Sequence, residues 1–306
     1  VVGVLIGFGI VGFVVAAGYG VGRAGFAGPS AQFVLNRVAF FVFSPALLFV
    51  TLARSDVRTL FSSMLVVAVG SAVAAGGIFC LVSVIFLKRS AAETTIGILS
   101  SSYLNANNIG LPVAVYVLGS SSFVAPVLLA QLVLFAPVAL TVLDITTSGR
   151  TSVRQIATLP LRNPIIIGSI AGIIVASSGG HLPTAILEPF TLIGGAAVPT
   201  VLIAFGMSLH GAKPLNVSDR RPDVIAAVIV KSAVMPLIAF AIARFGFGMG
   251  GHELFAVVTL AALPAAQNVF NYASRYETAV GVARDAVLLS SLVAIPAMVV
   301  ISALLA

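Results

Sequence analysis

Ser101-Ser-Tyr-Leu-Asn-Ala-Asn-Asn-Ile-Gly-Leu-Pro112 sets three asparagines, a glycine and a proline in the middle of an apolar run. The flanks are hydrophobic enough to cross a bilayer, and a plain membrane anchor has no use for such a centre. Glycine and asparagine are poor helix formers, and proline removes a backbone donor and crowds the preceding turn. Non-helical backbone is tolerated deep in a membrane only inside protein or beside a watery cavity. The stretch therefore predicts a broken helix, and its partner has to be found elsewhere in the chain.

The composition requires a membrane. The 306 residues are 59% hydrophobic and only 8% charged, with a mean hydropathy of +1.16. Soluble domains carry roughly 25% charged residues, too many for this chain to match. The class is a polytopic membrane protein. The net charge of +7 reads as loop orientation charge rather than as a nucleic-acid surface. Cys80 is the single cysteine, so no intrachain disulfide forms. The apolar run starts at Val1 without a charged leader, so no signal peptide is read there.

Ten apolar segments can be drawn, at about 1–20, 31–52, 61–87, 91–118, 121–144, 163–179, 183–209, 223–245, 252–274 and 280–306. A helix needs about 20 residues to span roughly 30 Å of hydrocarbon, and most segments meet that length. With the N-terminus outside, about twelve basic loop residues fall inside and three (Arg54, Arg58 and Arg244) fall outside. The inner set includes Arg37, Arg150, Arg154, Arg162 and Lys213. This positive-inside bias places both termini outside and the central loop in the cytoplasm.

The two halves echo each other. Phe43-Ser-Pro-Ala-Leu-Leu-Phe49 matches Ala197-Val-Pro-Thr-Val-Leu-Ile203, and Pro137 in span 5 matches Pro296 in span 10. Leu104 to Gly110 in span 4 matches Pro264-Ala-Ala-Gln-Asn-Val-Phe270 in span 9, all at a register of about 154 to 160 residues. Five spans is an odd number, so a repeated half inserts upside down. Span 9 is thus the second broken helix, with its polar interruption at matching depth. The expected half-helices begin near Asn107 or Asn108 and near Gln267 or Asn268. Their N-termini offer unpaired N–H groups and about half a positive charge each, which suits a carboxylate.

Asn105, Asn107, Asn108, Gln267 and Asn268 are therefore the candidate substrate-binding residues, with Gly110, Pro112, Pro264 and Asn271 shaping the breaks. Lys231 lies within a turn or so of mid-membrane in Val228-Ile-Val-Lys-Ser-Ala-Val-Met-Pro236. A buried ammonium there costs at least about 2.5–3.5 kcal/mol on insertion scales and needs a partner. Substrate, broken-helix carbonyls or both qualify, and Lys231 joins the binding group. Arg37 reads chiefly as an orientation charge. Glu93, Glu188, Glu277 and Asp285 read as peripheral. His181, His210 and His252 fall in or near loops without metal-ligand spacing, and no catalytic motif appears. The chain reads as a non-enzyme with no cofactor.

These motifs resemble the auxin efflux carrier family, which includes plant PIN proteins and bacterial malonate or malate carriers. The resemblance spans all ten segments. It rests on Asn105 through Pro112, on Lys231 to Pro236, on Leu263-Pro-Ala-Ala-Gln-Asn-Val-Phe-Asn-Tyr-Ala-Ser-Arg-Tyr276 and on Pro45-Ala-Leu-Leu-Phe49. It implies a bile acid sodium symporter-like fold with spans 4 and 9 broken and crossing. It also implies a scaffold of about 1–52 and 163–209, a moving transport domain of about 61–144 and 223–306, and a homodimer formed through the scaffold. Asn105 matches the asparagine that holds the substrate carboxylate in plant carriers, and Pro264 matches their span 9 proline. Leu104 stands where plant carriers have a proline, and their long central loop is absent. Both departures favour a small aliphatic carboxylate over auxin.

The expectation is an all-α membrane protein with an inverted repeat: residues 1–144, a cytoplasmic loop at 145–162, and residues 163–306. Its expected work is secondary transport of small organic anions such as malonate or malate in a bacterial cytoplasmic membrane, by an elevator-like shift. Proton and sodium coupling both stay open. A sodium symporter, an aromatic-acid efflux carrier and a receptor that binds an acid without moving it are the rivals.

Overall fold

A computed structural model describes residues 2–25, 27–28, 30–54, 63–148, 164–178, 182–210, 215 and 220–306. Arg58, Arg150, Arg154, Arg162, Lys213, His181 and most of the expected central loop lie outside these residues. The described chain is helical throughout, apart from turns and one isolated β-bridge. In order come α1 (Val2–Ala24), α2 (Ala31–Ala53), α3 (Ser63–Leu87), α4 (Ala91–Ser102), α5 (106–116) and α6 (Ser121–Thr147). They are followed by α7 (Pro164–Ser177), α8 (Thr184–Met207), α9 (Arg221–Gly246), α10 (Gly251–Ala261), α11 (Gln267–Arg275) and α12 (Val280–Leu305). Among them α2, α3, α6, α8, α9 and α12 are long and apolar enough to cross a membrane. Their outward faces carry large apolar side chains such as Phe41, Phe86, Leu192 and Leu304, as lipid contact requires. The chain is an integral membrane protein.

Local chemistry sets the helix ends and bends. Ser90 and Glu93 form a reciprocal capping box that starts α4. The π turns at Ala39–Phe43, Ala106–Gly110, Gln131–Phe135 and Val230–Val234 each stop two residues before a proline. Those prolines are Pro45, Pro112, Pro137 and Pro236. A proline has no N–H, and its ring crowds the carbonyl four residues back. Widening the preceding turn to an i→i+5 bond relieves the clash without ending the helix. Pro112 accordingly sits inside α5 and not in a break.

The helices pack in two groups. In one, α1 lies along α8, and α2 lies against α7 and α8. Glycines allow these contacts: a methyl added at Gly168 or Gly172 of α7 would strike the backbone carbonyls of Pro45 or Phe49 on α2. In the other group, α3 packs on α4, α9 and α10, α6 packs on α4, and α12 packs on α9, α10 and α11. One rim of this second group is fixed by ions. Arg89 donates two 2.8 Å hydrogen bonds to the Asp223 carboxylate, and that bonding raises the Arg89 pKa. Arg220 pairs with Glu93 beside it.

Candidate functional site

Two helices break where the sequence places the interruptions. Helix α4 ends at Ser102 and α5 starts at Ala106. Helix α10 ends at Ala261 and α11 starts at Gln267. The two loose segments bond to each other. Leu104 and Ala265 form an antiparallel β-bridge. Asn105 N donates to Pro264 O at 2.8 Å, and Ala266 N donates to Tyr103 O at 3.0 Å. Backbone groups freed by the breaks are thus paired across them, which a buried site demands. Pro264 suits its place, since it serves there as an acceptor and has no N–H to satisfy.

Side chains complete the pairing. Asn105 Oδ1 caps α5 by accepting from Asn108 N at 3.3 Å. Asn107 Nδ2 donates to Asn108 Oδ1 at 2.8 Å. Gln131 Nε2, buried in α6, donates to Leu104 O at 3.0 Å. Ala265 N donates to Ser290 Oγ of α12 at 3.0 Å. Gly110 lies where a methyl group would crowd the ends of the Leu263 and Val124 side chains, which would have to shift to admit it.

The N-terminal ends of α5 and α11 both border one cavity of about 490 Å³. Asn105, Asn107, Asn108, Gln267, Asn268 and Asn271 all line it. The structure therefore brings together every predicted amide from two stretches about 160 residues apart in sequence. Asn107 Oδ1 is buried and has no partner among the described residues, an acceptor that a water or a hydroxyl in the cavity would satisfy.

Lys231 is the exception. It is fully buried and does not line the cavity. Its Nζ donates to Ala261 O at 2.7 Å, with Met235 Sδ at 3.3 Å. Of the two partners open to it in the sequence, the described contacts supply the broken-helix carbonyl. The π turn at Val230–Val234 changes the direction of residues around it, and no count along an ideal helix gives that direction.

Four amide or guanidinium residues of the lining were neither in the predicted binding group nor among the residues shaping the breaks. Gln131 is a lone amide in an apolar run six residues before Pro137, and that position is the signal for it. Gln32, Asn36 and Arg37 come from the first turns of α2 and also line the cavity. Arg37 was read chiefly as an orientation charge; in the fold it lines the same cavity as the amides. Among the described lining residues it is the only cation, and no carboxylate lines the cavity.

The two helix ends, a shell of amides, one guanidinium and no acid make a site matched to an anion. A search of curated proteins finds no match to this sequence. The profile of the family described as membrane transport protein matches residues 10–302. That match covers every residue that lines the cavity, from Gln32 through Asn271, and by it the chain belongs to the membrane transport protein family, the family of the auxin efflux carriers.

Proposed function

We propose that the protein is a secondary carrier of small organic anions, with a mono- or dicarboxylate such as malonate or malate as cargo. The observation that carries this reading is the convergence of the α5 and α11 N-termini on one amide-lined cavity without a carboxylate. A carboxylate there meets the positive ends of α5 and α11 and accepts from the Nδ2 and Nε2 of Asn105, Asn108, Gln267 and Asn268. Asn105 Oδ1 is committed to capping α5, so its Nδ2 faces the cargo.

The reading extends to architecture. Ten spans in two inverted halves, with spans 4 and 9 broken and crossing, account for the matched breaks. The group of α1, α2, α7 and α8 serves as the scaffold and the dimer interface. The second group carries the site in an elevator-like movement. The charge bias puts both termini outside a bacterial cytoplasmic membrane and the α2 N-terminus at the cytoplasm. The cavity bordered by Gln32 and Arg37 then opens inward. On the opposite side, Thr51 Oγ1 and Ser121 Oγ, 2.7 Å apart, hold α2 against α6.

The carbonyl end of α10 is the natural seat of a coupling cation, and Lys231 Nζ already bonds Ala261 O there. This supports transport that does not require sodium. Phe33, Phe40, Phe41 and Phe270 also line the cavity and support a second reading, an aromatic carboxylate as cargo.

Uptake into proteoliposomes tests the assignment. Malonate or malate should accumulate with or without sodium. Asn105→Ala should lower that uptake by about tenfold or more, the value of one hydrogen bond to a charged group. Undiminished uptake by Asn105→Ala would remove the site from the carrier reading. Preference for indole-3-acetate over malonate would select the aromatic alternative.

A further inference from the structure

The amides of the cavity come from α4–α6 and α10–α11, whereas Arg37 comes from α2. Helix α2 belongs to the first packed group and α4, α6, α10 and α11 to the second, while α5 packs on α1 and α8 as well as on α6. Arg37 has no acidic partner among the described residues. Its guanidinium lies 5.5 Å from the Phe33 ring centroid and 5.7 Å from that of Phe41. Both rings are on its own helix, one turn to either side, so they fix the direction of the guanidinium without neutralising it. A planar fork held in place beside an anion site is a ready bidentate partner for a carboxylate.

We propose that Arg37 binds the second carboxylate of a dicarboxylate cargo, and does so only while the cavity is open on the Arg37 side. The first carboxylate sits at the helix ends, and the second spans the cavity to α2. The inference rests on the carrier reading and adds a consequence to it. When the amide-bearing group shifts relative to α2, the cargo leaves Arg37 behind. Affinity for dicarboxylates is therefore higher on the Arg37 face than on the other, and monocarboxylates show no such difference.

The test uses the full chain in right-side-out and inverted membrane vesicles, with malonate and acetate as probes. On the Arg37 face, Arg37→Gln raises the half-saturating malonate concentration by about tenfold or more, as loss of one charge-assisted hydrogen bond predicts. On the other face malonate changes less than about twofold, and acetate changes little on either face. Arg37→Lys keeps a charge and recovers part of the malonate affinity, which separates cargo binding from misfolding. Arg54→Gln, at the opposite end of α2, removes equal charge and leaves the Arg37-face affinity intact. Equal effects on both faces, equal effects on malonate and acetate, or no effect overturn the assignment. If Asn105→Ala abolishes uptake while Arg37→Gln is silent, only the Arg37 inference fails. A wild type that moves no carboxylate in either vesicle overturns the carrier reading and this inference together.

Discussion

The two broken helices face the same backbone problem and answer it with different side chains. At the first break a neutral amide, Gln131, donates to the freed carbonyl of Leu104. At the second a basic group, Lys231, donates to the carbonyl of Ala261. Both donors are buried, and both sit in π turns that precede a proline. One break thus shows that a carbonyl in this setting is satisfied without a charged residue. Under the carrier reading, the basic group at the other does more than hydrogen-bond: its charge offsets an anionic cargo in a low-dielectric region.

The largest expected effect is at Lys231. Lys231→Gln supplies a neutral donor of the kind found at the first break, and Lys231→Met supplies none. Both should lower malonate uptake into proteoliposomes by about tenfold or more, on the scale of one lost charged interaction. Stability should barely move. Removing a buried ammonium recovers about 2.5–3.5 kcal/mol of insertion cost, while the lost bond to Ala261 O is worth about 1.5–3 kcal/mol. Full uptake by Lys231→Gln would make the two breaks equivalent and erase the contrast.

Gln131→Leu comes next, and its signature is reversed. It leaves Leu104 O buried without that donor, and the apolar replacement cannot repair it. The fold should lose about 1–3 kcal/mol, read as a lower unfolding midpoint in detergent, with affinity for cargo changed less than stability. A neutral result would show that the bridge to α10–α11 alone holds the first break. Ser290→Ala should have the smallest effect. It withdraws the acceptor of Ala265 N, a neutral hydrogen bond worth about 1 kcal/mol, and leaves uptake close to wild type. A larger loss than that of Gln131→Leu would mean that the second break depends more on its neutral contact than on Lys231.

What was legible in the sequence followed from backbone chemistry. Asn105, Gly110 and Pro264 cannot sit comfortably in apolar helices, so the breaks could be placed within a residue or two. The start expected near Asn107 or Asn108 falls at Ala106, and of Gln267 and Asn268 the first opens α11. The direction of side chains was not legible. A period of 3.6 residues holds only in an unbroken α-helix, and each π turn before a proline shifts its phase. Lys231 lies inside such a turn and Arg37 lies just before one. Depth could be counted for both, but facing could not. Gln131 escaped notice for a related reason, because one amide in an apolar run has no pattern until the fold shows which carbonyl it meets.

The glycine seam between α1 and α8 has a consequence for how this molecule moves. A methyl group at Gly18 would collide with the Ile203 carbonyl, and one at Gly206 with the Val15 carbonyl. Each helix therefore seats a bare Cα against the other's backbone. The residue one turn before Gly18 on the same face is Val14, and a shift that brought its branched side chain to that point would find no room. The close seam resists sliding in that direction, so under the carrier reading this pair serves as a fixed rail and the travel falls to other surfaces.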